Sequence, residues 1–418
     1  MSGVERRIEA QDWMVSWESR AVMAALSARG QDVRFVGGCV RDAVLGRPVK
    51  DIDIATPDHP ETVMKLLNKA GLKVIPTGLD HGTVTAVSNH VPFEITTLRL
   101  DVETNGRHAT VAFTGSWEKD AARRDLTMNA LSCRPDGTIF DYYGGLDDLA
   151  RGCIRFVGDA HARIREDALR LLRYFRFFAH YGGGQHDAGA LAACRDLKSM
   201  IRGLSAERIR TEWVKLLDAR DPLPVLEVME QLGVLGEFLP EGRDLGPLKD
   251  LLDLQGRMAV TLAEGFSPLV RLASLYPNAP DAPDECQEKL CNLPNRLRFS
   301  KIEREFFCDA LMGQQERSLQ ELRADPRLFF YQQDRNLAAA KLLLAGSNTG
   351  EIRLAAELLD ELFHFRKPAF PLQGRDLIMD GFEKGPRIGE TLRRVELWWV
   401  ANDFLPDREA CMNEARQS

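Results

Sequence analysis

The sequence predicts an α+β fold in which a mixed unit of strands and helices precedes an all-α remainder. Strand-like segments lie at 33–36, 51–55, 73–76, 82–88, 92–98 and 138–142, with a helix at about 60–70. Beyond about residue 160 such segments stop. Long amphipathic segments then follow one another, separated by Pro or Gly near 221–224, 240–247, 276–283 and 367–374. The mixed unit is therefore expected to end near residue 150.

Composition narrows the class of protein. The chain has 418 residues, 44% of them apolar, which suffices for several domains. Its net charge of −7 excludes wholesale coating of nucleic acid and restricts any RNA contact to a local basic patch. No stretch approaches the roughly 18 apolar residues of a membrane span, so no membrane partner is expected. The eight cysteines are scattered, which indicates a reduced, cytoplasmic protein.

The first elements are predicted from apolar spacing and glycines. Residues 1–30 carry apolar positions at helical spacing and predict an opening helix. A strand at 33–36 then leads into Gly37 and Gly38, which predict a tight turn before a helix that contains Arg41. Glycines at this point let backbone N–H groups approach an anion, so the turn is typical of a phosphate site.

A pair of aspartates follows the glycine turn. Asp51 and Asp53 alternate with isoleucines, so both carboxylates point to one face of a strand. Two neighbouring carboxylates repel unless a cation lies between them, and hard oxygen ligands suit Mg²⁺ together with substrate phosphates. The alternative is a hairpin rim whose acids are merely solvated. The glycine pair and Arg41 at this spacing favour the magnesium-nucleotide site.

Glu94 is a candidate third carboxylate. It lies in a run that otherwise resembles buried sheet, where a lone acid is costly unless it is paired or bound to metal. The alternative is a glutamate on an edge strand that faces water.

Two arginines precede a short apolar helix at 126–131. Arg123 and Arg124 are suited to bidentate pairing with phosphate oxygens, although a surface salt bridge explains the same pattern. The following segment at 141–145 has a turn signature and is expected to close the mixed unit.

A helix predicted over 163–178 has an apolar face that suits the core and a polar face that carries candidate functional residues. Leucines and phenylalanines share one arc of the helical wheel, while Asp167, Arg170, Arg173, Arg176 and Tyr174 occupy the other. Asp167 and Arg170, three residues apart, offer an acceptor beside a donor fork, which matches the base edges of cytosine and adenine. The alternative is an intrahelical salt bridge. Arg173 and Arg176 would lie along a triphosphate or an RNA backbone.

In order, GGCVRD, DIDIAT, FEITTLR, RRDLTMNAL, DYYGG and REDALRLLRYFRF resemble the motifs of class II tRNA nucleotidyltransferases, which are CCA-adding enzymes, and of bacterial poly(A) polymerases. The resemblance covers about residues 30–180. It implies a polymerase beta-like nucleotidyltransferase head at 1–150 and a helical neck at 151–220 that recognises the base. A helical body at 221–345 and a tRNA-binding tail at 346–418 would follow.

The resemblance also implies roles for residues of this chain. Asp51 and Asp53 would bind two Mg²⁺ ions, with Glu94 assisting catalysis. The nucleotide would be bound by a set of residues from the glycine turn, the double arginine and the neck: Gly37, Gly38, Arg41, Arg124, Asp167, Arg170, Arg173 and Arg176. The implied activity is template-independent addition of C, C and A to the tRNA 3′ end from CTP and ATP. Oligomeric state stays open.

Poly(A) addition is the first alternative, because both activities use the same head and neck. Residues 71–85 resemble the CCA-adding enzymes, and the acidic chain lacks the basic extensions of poly(A) polymerases. Residues 100–109 resemble the flexible loop with which CCA-adding enzymes switch from CTP to ATP, and their polar composition suits a mobile lid. More distant alternatives are a non-catalytic RNA-binding protein and a small-molecule nucleotidyltransferase.

Overall fold

The computed structural model describes residues 4–105, 108–184, 186–239, 244–263, 265–276, 292–312 and 318–417. The chain divides into two compact units, Met1–Pro240 and Glu241–Ser418. All residues of the candidate site lie in the first unit.

Strands occur only in the first unit among the described residues. They are β1 (Val4–Arg7), β2 (Arg34–Val36), β3 (Ile52–Thr56), β4 (Lys73–Gly78), β5 (Thr83–Ser88), β6 (Val91–Thr97), β7 (Arg99–Asn105), β8 (His108–Phe113), β9 (Ser132–Cys133) and β10 (Thr138–Asp141). Eight of them form one mixed sheet in the order β1-β10-β9-β2-β3-β6-β5-β4, and β7 pairs with β8 separately. The central pair β3 and β6 is parallel. The predicted mixed unit of strands and helices is thus confirmed.

Helices surround this sheet and continue beyond it. In the first unit they are α1 (Asp12–Val15), α2 (Trp17–Ser27), α3 (Gly38–Val44), α4 (Pro60–Lys69), α5 (Trp117–Ala122), α6 (Gly145–Arg151), α7 (Ala160–Glu166), α8 (Leu169–Tyr181), α9 (Ala188–Leu197), α10 (Ala206–Leu217) and α11 (Leu223–Gln231). Helices α2 and α4 pack together and against β5. Fully buried side chains of the sheet, among them Phe35, Ile54 and Phe93, form the core there.

The described part of the second unit consists of helices and the loops that join them. Its helices are α12 (Gly246–Met258), α13 (Phe266–Ala273), α14 (Lys301–Met312), α15 (Leu319–Ala324), α16 (Arg327–Gln332), α17 (Arg335–Thr349), α18 (Ile352–His364), α19 (Gly374–Met379), α20 (Pro386–Ala401) and α21 (Arg408–Arg416). This confirms the all-α remainder. No described helix combines the length and apolarity that crossing a membrane requires. The predicted boundaries at 150, 220 and 345 stay predictions.

Two predictions about the strands were wrong. The opening helix over 1–30 begins only at Asp12, because residues 4–7 form the edge strand β1 against β10. The loop expected at 100–109 is instead largely the hairpin of β7 and β8, whose tip at 106–107 lies outside the described residues. Both errors concern pairing between strands, which local apolar spacing does not report. Movement of the hairpin stays a prediction.

The helix predicted over 163–178 is broken. Helix α7 ends at Glu166, and Asp167 has extended backbone angles (φ −154°, ψ 109°) before α8 begins. The Asp167 Oδ1 atom accepts the N–H of Leu169 at 3.1 Å, so the carboxylate binds the first backbone N–H of the second helix. Tyr174, expected on the polar face, is fully buried and stacks on Phe156 with ring centroids 5.5 Å apart.

Candidate active site

A cleft of about 750 Å³ in the first unit is lined by α3, β3, the segment 123–129, α8 and α10. Ten of the eleven residues predicted from the sequence line it, and Glu94 is the exception. Basic side chains outnumber acidic ones along its walls: Arg41, Arg123, Arg124, Arg170, Arg173, Arg176, Arg208 and Lys215 against Asp51, Asp53, Asp125, Asp167 and Asp218. Such a lining favours an anionic ligand.

The glycine turn brings backbone close to an arginine. Gly37 has φ 72° and ψ −124°, a conformation that side chains with a Cβ atom rarely adopt. A Cβ atom on Gly37 would lie 3.1 Å from Arg124 Nη1. The Gly37 N–H donates to the Leu131 carbonyl oxygen at 3.1 Å, which ties the turn to the segment before β9. Glycine at position 37 therefore leaves room for the Arg124 guanidinium, and both residues line the cleft.

Arg41 is buried against its neighbours. Its Nε and Nη2 atoms donate to the two oxygens of Asp42 at 2.9 and 2.8 Å, and Nη1 donates to Asn129 Oδ1 at 2.8 Å. Only 8% of Arg41 is exposed. The guanidinium thus lies at the cleft wall in one fixed orientation, with part of its donor capacity already used.

The carboxylates lie on adjacent strands. Asp53 of β3 is opposite Glu94 of β6, and exposed Asp51 precedes β3. Burial, Glu94 and Asp51 raise the pKa of Asp53 to about 6, against the opposing effect of Arg124. Glu94 is exposed, while Phe93 and Ile95 beside it are buried, so the strand alternates and the inference of a buried run around Glu94 was wrong.

This donor set suits a metal that also binds substrate. Within the described part of the chain, no three His, Cys, Asp or Glu side chains are already grouped as a metal site. The carboxylates of exposed Asp51 and partly buried Asp53 repel each other and nevertheless offer the hard oxygen atoms that Mg²⁺ prefers, and phosphate oxygens complete such sites. The residues therefore fit a metal ion carried in with a nucleotide.

The double arginine both forms salt bridges and lines the cleft. Asp120 pairs with Arg123 at 2.8 Å and with Arg124 at 3.3 Å. Asp125 accepts hydrogen bonds from Asn129 and from Arg173 Nε, at 3.1 and 2.6 Å. Although burial alone raises the pKa of Asp125, Arg173 and the hydrogen bonds hold it below its ordinary value. Both arginines thus form salt bridges, with the buried Asp120 rather than at the surface, and both still line the cleft.

Asp167 and Arg170, predicted to recognise the base, have other partners than the sequence suggested. Asp167 Oδ2 accepts from Arg208 Nη2 of α10 at 2.6 Å. Arg170 pairs with Glu166 and donates from Nη2 to the Arg123 carbonyl oxygen at 3.1 Å. Both side chains still line the same cleft. Asp167 and Arg170 are thus each held by other residues at the wall of the cleft.

Sequence reasoning missed several side chains of the cleft. Arg208 and Lys215 lie on α10, and Arg176 pairs there with Glu212 at 3.0 Å. The helical spacing of α10 carries no signal for this role. Asp125 could have been found, because it directly follows the double arginine.

Comparisons with known proteins agree with this geometry. Residues 33–155 match the family model described as "Poly A polymerase head domain". Residues 187–245 match the model described as "Probable RNA and SrmB- binding site of polymerase A". The first match contains every predicted residue up to Arg124.

Curated relatives match over nearly the whole chain. The mitochondrial CCA tRNA nucleotidyltransferase 1 of Danio rerio is 34% identical, covering 93% of this chain and 88% of the relative. The chain belongs to the CCA tRNA nucleotidyltransferase family. A CCA-adding enzyme of Streptococcus gordonii is 31% identical over 94% of this chain and 95% of the relative.

Solved structures of CCA-adding enzymes share the fold. The Bacillus stearothermophilus enzyme in complex with CTP is 26% identical, with a TM-score of 0.62 over 92% of this chain and 93% of that one. The Thermotoga maritima enzyme complexed with tRNA has a TM-score of 0.67 at 18% identity, covering 99% of each chain, and supports the fold alone. The polymerase beta-like head followed by helices is thus confirmed, and nucleotidyl transfer in this family depends on metal.

Proposed function

We propose that this CCA-type nucleotidyltransferase uses the cleft to add C, C and A, without a template, to the 3′ end of tRNA from CTP and ATP. The proposal rests on one observation: two sets of side chains with different chemistry line the same cleft. The Asp51 and Asp53 carboxylates suit nucleotidyl transfer, and Asp167 and Arg170 suit recognition of a base. Membership of the CCA tRNA nucleotidyltransferase family supports the same conclusion.

The reaction joins the terminal 3′-hydroxyl of tRNA to the α-phosphate of the incoming nucleotide, and pyrophosphate leaves. We infer that Asp51 and Asp53 hold two Mg²⁺ ions, with Glu94 of the adjacent strand assisting. Such ions, when bound, lower the pKa of the attacking hydroxyl and stabilise the charge of the leaving pyrophosphate. The protein itself positions the two substrates and surrounds them with charged side chains.

The arginines of the cleft orient the triphosphate. Arg124 lies against the glycine turn of Gly37 and Gly38, where its guanidinium can pair with phosphate oxygens. Arg173 and Arg176 lie on the cleft face of α8, each beside an acid. These acids set the arginine orientations before the nucleotide arrives, which lowers the entropy cost of binding. Arg41 lines the cleft beside Gly38.

Selection of C and A follows from hydrogen-bond polarity. Cytosine and adenine each present an amino donor beside a ring acceptor, and Asp167 and Arg170 offer the complementary acceptor and donor. Uracil and guanine present the reverse polarity and would leave polar groups unpaired, at a cost of about 1–3 kcal/mol per group. Arg208 binds Oδ2 of Asp167 and the Leu169 N–H binds Oδ1, so the carboxylate is fixed, while each oxygen keeps a second lone pair that can accept from a base.

Poly(A) addition is the second candidate, because the matching head model carries the name of poly(A) polymerase. The relatives named as CCA-adding enzymes and the net charge of −7 weigh against it. A non-catalytic RNA-binding protein would not need the repelling carboxylates, and a small-molecule nucleotidyltransferase would not need the helical unit after residue 240.

One experiment tests the proposal. The protein is incubated with Mg²⁺ and a tRNA that lacks its last three nucleotides, with CTP, ATP, both, or UTP and GTP, and the products are sequenced. We expect two C with CTP alone and then one A when ATP is added, after which growth stops. Repeated A without C would establish poly(A) addition, and no product with intact tRNA binding would overturn the catalytic proposal.

The remaining predictions concern organisation. We propose that 221–345 and 346–418 act as body and tail and that the tail contacts tRNA, which protection of tRNA by the full chain and by tail variants would test. The cytoplasmic location predicted from the cysteines stays a prediction, since the Danio rerio relative is named mitochondrial.

A further inference from the structure

The end of helix α8 contacts helix α3 through one phenol. The Tyr181 hydroxyl donates to Asp42 Oδ1 at 3.0 Å. The guanidinium carbons of Arg41 and Arg47 lie 4.3 and 4.4 Å from the centroid of the Tyr181 ring. Tyr181 thus contacts three charged side chains of α3 and of the turn that follows it. Burial raises the pKa of Tyr181, so at neutral pH its hydroxyl keeps the proton that it donates.

The contacts of Arg41 with Asp42, Asn129 and Tyr181 restrain different motions of its guanidinium group. Asp42 binds the edge of the guanidinium through Nε and Nη2, and Asn129 binds Nη1. In-plane hydrogen bonds fix the edge of the group but resist its tilting only weakly. The Tyr181 ring packs on the guanidinium and opposes this tilt through cation–π attraction.

Arg47 ties the same ring to the last turn of α8. Its Nη2 atom donates to the His180 carbonyl oxygen at 3.0 Å, at the helix end where a positive charge is favourable. Arg41 and Tyr181 both line the cleft, and a Cβ atom on Gly38 would lie 3.7 Å from Arg41 Nη2. The end of α8 is therefore linked to the glycine turn through the Tyr181 ring and Arg41, and to the turn after α3 through Arg47.

We propose that Tyr181 is a positioning residue for the nucleotide. It holds Arg41 in the orientation that receives the triphosphate and thereby couples the base-reading helix α8 to the glycine turn. This inference rests on the proposed function. Since the triphosphate is common to CTP and ATP, the loss of Tyr181 affects both nucleotides equally and leaves base selection unchanged.

Two substitutions separate the ring from the hydroxyl. Tyr181→Leu removes both, and Tyr181→Phe removes only the bond to Asp42. We expect KM for CTP and ATP to rise about tenfold in the first and about threefold in the second, with kcat within about twofold. Tyr143→Phe is the matched control, because its hydroxyl contacts the Glu118 carbonyl oxygen outside the cleft. A lower kcat at unchanged KM, or an effect on one nucleotide alone, overturns the proposal.

A double-mutant cycle tests whether Tyr181 acts through Arg41. In an Arg41→Met background we expect Tyr181→Leu to change KM less than about twofold, because the group that it positions is gone. Effects that multiply instead would refute the coupling. Should Tyr181→Leu not fold, Tyr181→Phe takes its place in the cycle, with the same two outcomes.

Equilibrium binding of CTP in the absence of tRNA separates this inference from the proposed function. If the wild-type protein binds CTP but extends no tRNA, the proposed function is wrong. The Kd values of the wild type and the Tyr181 variants for CTP still decide whether Tyr181 positions the nucleotide. We expect the Kd for CTP to rise in the order wild type, Tyr181→Phe, Tyr181→Leu. Equal Kd values for the three proteins would overturn the positioning role.

Discussion

Asp53 lies directly opposite Glu94 in the parallel pairing of β3 with β6. Side chains at paired positions of adjacent strands point to the same face, so the two carboxylates are neighbours. Burial, together with the like charges of Glu94 and Asp51, disfavours ionisation and raises the pKa of Asp53 to about 6. The strand pairing therefore builds a site that is unfavourable for the protein alone and favourable once a cation is present.

The first prediction concerns Asp53→Asn. A carboxyl group whose pKa is raised on folding is stabilising when protonated and loses that contribution as the pH rises through about 6. At pH 7 with EDTA, removing the charge is thus expected to raise the free energy of unfolding by about 1–2 kcal/mol. Incorporation of CMP should nevertheless be abolished. Urea unfolding and a single-turnover assay measure the two effects, and an active variant would refute the metal-binding role.

The second prediction concerns the glycine turn. Gly37→Ala forces a Cβ atom into a backbone region reserved for glycine and against Arg124, so we expect a loss of about 1–3 kcal/mol of stability and a higher KM for both nucleotides. Gly38→Ala is the matched control for stability, since its Cβ atom would make only ordinary contact with Arg41. Thermal unfolding of both variants measures the difference. Equal melting temperatures would show that the turn tolerates a side chain.

The third prediction concerns acid sensitivity. Arg173 holds the pKa of Asp125 below its ordinary value of 3.8 despite burial. This contribution to stability is complete above about pH 5 and is lost as the pH falls toward the lower, folded-state pKa. Asp125→Asn should therefore cost about 3 kcal/mol at pH 7 and less near pH 3, because Arg173 loses its partner.

A matched comparison uses Asp147→Asn. Asp147 pairs with Arg6 in an exposed salt bridge, which should contribute less than about 1 kcal/mol. Unfolding free energies of both variants at several pH values distinguish the buried pair from the exposed one. A constant cost of Asp125→Asn across this range would show that the pair does not titrate with folding.

The sequence predicted features that depend on local spacing. Alternation at Asp51 and Asp53 and the glycines at 37–38 determine local backbone geometry, and the structure places them in one cleft. Features that depend on distant segments were not predicted. The edge strand β1 exists because residues 138–141 pair with it, and the break at Asp167 is stabilised by a partner, Arg208, that is 41 residues away.

Tyr174 shows a further limit of helical wheels. A wheel assigns it to the polar face, but Phe156 covers that side of α8 and buries the ring. A wheel identifies faces and does not report how much of a helix its neighbours cover. The three arginines of α8 do line the cleft, as their face of the wheel predicted, and each pairs there with an acid.

The last prediction concerns base selection. Arg170→Ala removes the donor beside Asp167 and should reduce discrimination of CTP and ATP against UTP and GTP by about tenfold, while tRNA binding changes less. Arg208→Met should act in the same direction, because Asp167 loses the pair that orients its carboxylate.

Arg202→Met is the control, since Arg202 pairs with Glu237 outside the cleft. Competition between nucleotides on tRNA ending in CC measures selectivity, and filter binding measures tRNA affinity. If Arg170→Ala preserves selectivity, its contact with Glu166 is structural, and base recognition must reside elsewhere in the cleft.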